Sequence, residues 1–459
     1  MTTPATSIPL ASSPRTFRDE MAAAVRLATP VVFVQLGSML MGVVDTIMLG
    51  HLSAEALAAG ALGHSTNITL LMFGLGTLAA LDPLISQAYG AREPEAVAAH
   101  LQRGMLLALA LSLPMGLLLW DIAPLLRAVG QPEAVIGDAA AYARGIIWGV
   151  PAYFLFMAVR QTLQAMSVVR PAGWAIVVGN ILNALLDWVL IFGHLGFPAL
   201  GVAGSSYATS TARWLMLAWL VFASRRQLAP YWRGFTAEAA RLSSYLRLLR
   251  IGVPIGLHQS IEILLFASAG LLMGRMGVAQ LAGHQITLNL ASLSFMVPLG
   301  ISGAATTRVG NAIGRQDMTG ARRAALACLI LGGAVMVLFA LLFGVFPETL
   351  ARIYTQDPAT IAMAMILLPV AAMFQVFDGL QVVSVGVLRG AADTAVPAVL
   401  AFLGFWAVGL PSGWFLGFRM HFGAPGIWWG LTLGLAAVAA LLLLRIVARF
   451  RGHIARALG

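Results

Sequence analysis

The chain has 459 residues, of which 59% are hydrophobic and 10% charged, with a formal net charge of +10. Soluble domains carry about a quarter charged residues, so this composition excludes a soluble enzyme or binding module and points to a protein built across a bilayer. A basic balance can also mark a nucleic-acid partner, but all 28 basic residues are arginines, placed mainly in short gaps between apolar runs, and this is the pattern of topology signals.

At about 20 apolar residues per crossing, the length leaves room for about twelve spans and no large soluble domain. The first residues, Met1 to Met21, are polar and do not lead into a short apolar stretch with a small-residue cleavage site. No signal peptide is expected, and the first helix should direct insertion. Apolar runs predict spans over 25–48, 57–82, 102–126, 140–165, 172–193 and 200–223. A second set follows over 248–273, 280–305, 323–346, 360–386, 395–417 and 425–447. Many runs are rich in Gly, Ala and Ser, which lets membrane helices approach closely. Prolines 30, 114, 151, 254, 298 and 369 fall inside them. They are tolerated where neighbours satisfy the freed carbonyls.

With the N-terminus placed in the cytoplasm, most arginines fall on the cytoplasmic side, among them Arg15, Arg92, Arg160, Arg233, Arg241, Arg308 and Arg389. Arg127, Arg144, Arg275, Arg352 and Arg419 fall on the opposite side, and Arg213 lies within a span. The bias predicts both termini in the cytoplasm. The longest polar connection, 224–247, divides the chain into residues 1–228 and 229–459, each with six spans. Sliding the sequence by 224 superposes Gly50 on Gly274, Leu57 on Leu281 and Ala58 on Ala282. It also pairs Met72 with Met296, Leu75 with Leu299, Gly76 with Gly300, Ala80 with Ala304, Ala88 with Ala312 and Gly90 with Gly314. Gly201 falls in step with Gly426. An even number of spans per half gives both halves one orientation. The expected fold is therefore all-α, with two six-helix bundles related by a pseudo-twofold axis along the membrane normal.

No HExxH, CxxC, P-loop or GxSxG pattern occurs, so neither an enzyme nor ATP-driven transport is expected. An ion gradient is the expected energy source. The only cysteine, Cys328, lies in an apolar run. Five acids fall inside spans: Asp45, Asp82, Asp187, Glu262 and Asp378. A charge at mid-membrane costs at least ~2.5–3.5 kcal/mol on insertion scales, so such residues face a cavity, a partner or an ion path. Asp82, close to a span end before Pro83, reads instead as a local cap or anchor. Asn183 lies one turn before Asp187 on the same face, and Asn180 extends that stripe. A carboxylate beside amides suits a protonatable site or a small hard cation, which takes oxygen ligands. The alternative is a polar clamp between helices. In the second half His258 precedes Glu262 by one turn, and Gln375 and Gln381 flank Asp378 at helical spacing. His284 reads as a structural hydrogen-bonding residue.

Four segments together resemble the multidrug and toxic compound extrusion (MATE) family, in its bacterial NorM-like and DinF-like branches. They are VVDTIMLGHLSAEALAA at 43–59, PLISQAYGA at 83–91, LAGHQITLNLASLSFMVPLGISGAATTRVGNAIG at 281–314 and LRGAADTAVP at 388–397. The resemblance implies two bundles flanking a central cleft that rock to alternate access. It implies export of cationic or amphipathic organic compounds across the bacterial cytoplasmic membrane, in exchange for H+ or Na+ and without a cofactor. The partners implied are drug-like cations and the lipid bilayer, with no nucleic acid, and the working unit is a monomer. The family's acids fall on Asp45, on Asn183 with Asp187, on Glu262 and on Asp378. Sodium would bind at Asp45, Asn183 and Asp187. The alternative function is a lipid-linked precursor flippase of a related superfamily, against which the single intramembrane arginine, Arg213, weighs.

Overall fold

The computed structural model of the chain describes residues 16–232 and 242–457. Arg15, Arg233 and Arg241 lie outside the described residues. Twelve long spans follow one another. The first six are α1 (Phe17–Leu52), α2 (Ala54–Gly90), α3 (Pro94–Trp120), α4 (Glu133–Ile146 and Gly149–Ala165), α5 (Arg170–Phe192) and α6 (Gly201–Ala223). The second six are α7 (Leu242–Gly274), α8 (Val278–Gly314), α9 (Met318–Val345), α10 (Pro358–Gly390), α11 (Ala395–Arg419) and α12 (Gly423–Arg451).

Ten of these are long and apolar enough to cross a membrane, and the two parts of α4, bent by 52°, make an eleventh. The exception is α6, whose first half carries buried Ser205, Ser206, Thr209, Ser210 and Arg213. A helix this polar is viable in a bilayer only if that face is buried in protein, and here it is.

The helices overrun the apolar runs, most of all at the end where the arginine-rich loops lie. Thr16 caps α1, its hydroxyl accepting from the Asp19 amide while Asp19 accepts from the Thr16 amide. That box starts α1 eight residues before the predicted boundary of 25. The second span does not stop at 82 but breaks at Ala79–Ala80 and continues to Gly90. Arg213 is not the only arginine inside a span. Arg103, Arg160 and Arg389 also lie on helices α3, α4 and α10.

The repeat is written into the helix ends. Arg92 and Gln316 both take left-handed backbone angles (φ 60° and 61°), as do Ser167 and Ala392 (63° and 55°). A non-glycine residue there costs roughly 1–2 kcal/mol, and here it closes the preceding helix. Glu93 N donates to Ala88 O and Asp317 N to Ala312 O, at 3.0 and 2.9 Å. This is the paired-turn cap that spends left-handed geometry to satisfy terminal carbonyls. Gly201 matches Gly423, both with positive φ (56° and 64°), rather than Gly426 as the sequence suggested. The last span simply begins three residues earlier.

Each six-helix bundle has its own core, but the two exchange arms. Ala24, Leu27 and Ala28 at the start of α1 pack in the core of the second bundle. Leu248, Ile251 and Ile255 at the start of α7 pack in the core of the first. Glycines let these crossings close. Gly76 on α2 sits against Gly256 on α7, and its repeat mate Gly300 on α8 sits against Val32 on α1. Further toward the arginine-rich end, Gly90 lies on the backbone of Asn311, and Gly314 lies on that of Gln87. The same two amides bond across the seam: Gln87 Nε2 donates to Gly390 O at 2.9 Å, and Asn311 Nδ2 donates to Ala165 O at 3.2 Å. The Arg308 guanidinium and the buried Glu20 carboxylate add an ion pair at 2.7 Å between α8 and α1. Apart from this ion pair, the contacts that join the bundles at the arginine-rich end obey the repeat.

Gly90→Ala or Gly314→Ala would force a methyl into opposing backbone, so each should destabilise this closure by about 1–3 kcal/mol. A lowered thermal midpoint in detergent is the expected readout. Gly137→Ala, on a helix with nothing near the added carbon, should be neutral or raise the midpoint slightly.

Candidate functional site

In the first bundle, α1, α5 and α6 bring together the acids that the sequence singled out. Asp45, Asn183 and Asp187 are all buried. The Thr209 hydroxyl donates to Asp45 Oδ2 at 2.8 Å, and Asn183 Nδ2 reaches that hydroxyl at 3.4 Å. The carboxyl of Asp187 lies beside Asp45 and Ser205 without a hydrogen bond to either. Asp45 Oδ1, both Asp187 oxygens, Asn183 Oδ1 and Ser205 Oγ have no hydrogen-bond partner among the described residues. Unpaired buried oxygens are expensive, and two buried carboxylates side by side need a positive charge between them. A proton shared by the pair meets that need. So does a monovalent cation, because every free donor atom here is an oxygen. No group of three or more His, Cys, Asp or Glu placed to hold a metal ion occurs among the described residues.

Four residues of this cluster, His64, Tyr142, Thr209 and Ser205, were not foreseen. His64 on α2 packs its ring on Gly42 of α1, one turn from Asp45, and its Nδ1 lies 3.4 Å from the Tyr142 hydroxyl on α4. Nothing in their sequence context marks them. Thr209 and Ser205 were legible in principle, since GSSYATST at 204–211 repeats small hydroxyls at helical spacing. Asn180 is placed differently from its neighbours. Its Nδ2 donates to Gly37 O at 3.0 Å and Ile176 O at 2.8 Å, which ties α5 to α1 rather than joining the acid pair. Arg213, one turn beyond Thr209, is buried with its guanidinium 4.5 Å above the Tyr153 ring.

In the second bundle Glu262 on α7 and Asp378 on α10 open on a cavity of about 370 Å³. Its walls include Phe266, Phe295, Phe374, Met72 and Met296. His258 Nε2 meets Gln381 Nε2 at 3.2 Å on the same wall. Apolar and aromatic walls with a few convergent polar groups are the make-up of an organic-ligand pocket, and two carboxyls give it a preference for cations. Gln375 does not line the cavity. Its amide donates to Ser294 Oγ and clamps α10 to α8.

His284 does not hydrogen-bond as expected. Both ring nitrogens lack partners, and the ring packs edge-on to Trp428 at 5.8 Å. Small neighbours on α8 and the indole of α12 leave it an aromatic rather than a polar environment. Asp82 is not a helix cap either, since the second segment of α2 has no side-chain cap. It is buried close to Arg160 and Arg389. Arg389 also lines the narrow end of the cavity, so the carboxylate balances charges gathered at the seam.

The MatE family profile matches residues 30–189 and again 254–415. The chain belongs to the MatE family. The two matches begin at Pro30 and Pro254, the offset that aligns Gly90 with Gly314. Relatives of this MatE chain agree along nearly its full length. It is 39% identical to the "probable multidrug resistance protein NorM" of Mesorhizobium japonicum, over 95% of both chains. It is 36% identical to the multidrug resistance protein NorM of Vibrio cholerae, over 93% of this chain and 95% of that one. Solved structures share the fold. The eukaryotic MATE transporter AtDTX14 superposes with a TM-score of 0.87 at 22% identity, over 94% of this chain and 96% of that one. The Vibrio cholerae MATE transporter VcmN in its bent form gives 0.84 at 21%, over 95% and 98%.

If Asp45 and Asp187 oppose each other, Asp187→Asn should raise the thermal midpoint in alkaline, sodium-free buffer, because one carboxylate is gone and the amide can donate to Asp45. Thr209→Val should destabilise the fold by about 1–3 kcal/mol, the cost of leaving a buried acceptor unpaired, and Thr209→Ser, which keeps the hydroxyl, should recover most of that loss. Thermal unfolding in detergent measures all three.

Proposed function

We propose that this protein exports cationic or amphipathic organic compounds from the bacterial cytoplasm in exchange for H+ or Na+, by alternating access between its two bundles. The observation that carries the proposal is the pairing of two kinds of acidic site inside one membrane-spanning MatE fold. One is a tight carboxyl pair with free oxygen donors in the first bundle. The other is an aromatic-walled cavity with Glu262 and Asp378 in the second. The relatives named as multidrug resistance proteins support the same class of cargo.

The ion site is assigned to Asp45, Asn183 and Asp187, with Thr209 and Ser205 as supporting oxygens. The cavity with Glu262, Asp378 and His258 is assigned to the organic cation. Coupling follows from electrostatics: the bundles change access only when their buried acids are compensated by positive charge, which the ion supplies in one direction and the organic cation in the other. The moving bodies are residues 1–228 and 229–459. The arginine-rich end faces the cytoplasm, with both termini there, and the functional unit is a monomer in the inner membrane. A flippase for anionic lipid precursors gains nothing from the cavity, whose acids repel a pyrophosphate and whose Arg389 lies beside Asp82.

Uptake of a fluorescent organic cation into everted vesicles, whose outer face is the cytoplasmic one and whose lumen therefore receives the exported compound, tests the assignment. Imposed H+ or Na+ gradients should drive it, and collapsing both should stop it. Asp45→Asn and Asp187→Asn should each cut gradient-driven uptake by about tenfold or more, the scale of one lost charge interaction of roughly 1.4 kcal/mol. Near-normal uptake in both variants would transfer the ion to Glu262 and Asp378. Transport that persists without either gradient would end the antiport proposal.

A further inference from the structure

The near-symmetric closure at the arginine-rich end carries a chain segment that has no counterpart in the repeat. Beyond α12 the chain leaves the second bundle as residues Gly452–Ala457 and runs onto the first. Its root is fixed in the second bundle. Arg322 on α9 donates to Phe450 O at 2.8 Å and Arg451 O at 3.3 Å, capping the end of α12. Ile454 is 1% exposed and belongs to the core of the second bundle. Three residues later, Ala457 packs against the core of the first.

Two polar contacts complete the crossing. Arg456 Nη1 donates to Glu93 Oε1 at 2.7 Å, on the turn between α2 and α3. Ala457 N donates to Gln87 Oε1 at 2.8 Å. Gln87 is the amide whose Nε2 already bonds Gly390 O across the seam. Its carboxamide is therefore held at both ends by the second bundle. The repeat mate, Asn311, bonds Ala165 O through its nitrogen, but its Oδ1 has no partner among the described residues. One of the two matched latches is clasped by the segment and the other is not.

The reach of the chain gives this mechanical content. Three residues span at most about 10 Å when fully extended. With Ile454 seated in one core and Ala457 against the other, there is little slack. The bundles cannot part at this end unless the contacts of Arg456 and Ala457 with the first bundle break.

We propose that Gly452–Ala457 is a strap that holds the bundles together at the arginine-rich end and sets the balance between the two access states. The proposal rests on alternating access as the mode of action. The strap acts by clasping Gln87 and pairing with Glu93, and its release precedes opening at that end. The Arg456–Glu93 pair is partly exposed, at 33% and 41% of the side chains. A pair of this kind is expected to move a two-state ratio by about two- to fivefold, enough to bias the balance without locking it.

Spin labels at exposed Gln227 and Gln316, one on each bundle at the arginine-rich end, report the separation in nanodiscs, with buried Cys328 replaced by alanine. Arg456→Glu should raise the population of the longer distance about two- to fivefold. Ile454→Ser, which loosens the root of the strap, should move it the same way. Adding Glu93→Arg to Arg456→Glu should restore the original ratio. Two distance populations that ignore Arg456→Glu, or that the double reversal fails to restore, would overturn the strap while leaving alternating access intact. A single population in every variant would overturn both.

Discussion

Asp45 and Asp187 are two carboxyls buried side by side in a medium that tolerates neither charge alone. Each is held by its own helix, and the hydroxyl of Thr209, which itself accepts from the Asn183 amide, satisfies only part of their acceptor capacity. The remainder has to be met by a proton or a cation. This requirement explains the composition of α6, the one span too polar to pass as a membrane helix on apolarity. Thr209 and Ser205 face the acids of α1 and α5, while Ser206 and Ser210 pack against Gly145 and Gly149 of α4. A small ion needs close oxygen donors, not volume. The second bundle meets the opposite requirement. Phe266, Phe295 and Phe374 keep its space open, and Glu262 and Asp378 sit on the wall.

The exchange of arms between bundles links the two sites. The same helix α1 that carries Asp45 starts in the core of the second bundle, and the same helix α7 that carries Glu262 starts in the core of the first. A change in charge at either acid acts on a helix that already belongs to both bodies. The crossings use glycine on glycine or on valine, and amide on carbonyl, so they are tight yet contain little apolar area to overcome. A closure built this way can reopen, and packed elements with two discrete arrangements are what coupling requires.

Much of this was legible in the sequence. Apolar runs gave all twelve spans, and the 224-residue offset, seen first in Gly76/Gly300 and Gly90/Gly314, reappears in helix caps and glycine crossings. The intramembrane cost of charge pointed to Asp45, Asp187, Glu262 and Asp378, because few other reasons keep a carboxylate there. What the sequence could not show was partnership across helices. Asn180 and Asn183 share one face of α5, yet one anchors α1 and the other joins the acid pair. Gln375 and Gln381 flank Asp378 equally, yet only Gln381 reaches the cavity wall. Helix periodicity assigns a face, whereas a three-residue step along α5 or α10 changes which neighbouring helix is met. His64 and Tyr142 were invisible for the same reason, being distant in sequence and joined only by packing. Span ends were misjudged because the arginines that close an apolar run do not end the helix.

The central claim is that an ion held between Asp45 and Asp187 leaves when an organic cation is taken up. Ion release on ligand binding measures this directly. A saturating organic cation is added to the purified protein in weakly buffered, low-sodium detergent solution, and H+ and Na+ are followed with a pH dye and a sodium electrode. Release of H+ or Na+ by the wild type, and its loss in the Asp45→Asn/Asp187→Asn double variant with cation binding preserved, is the expected result. Undiminished release by that double variant would contradict the claim.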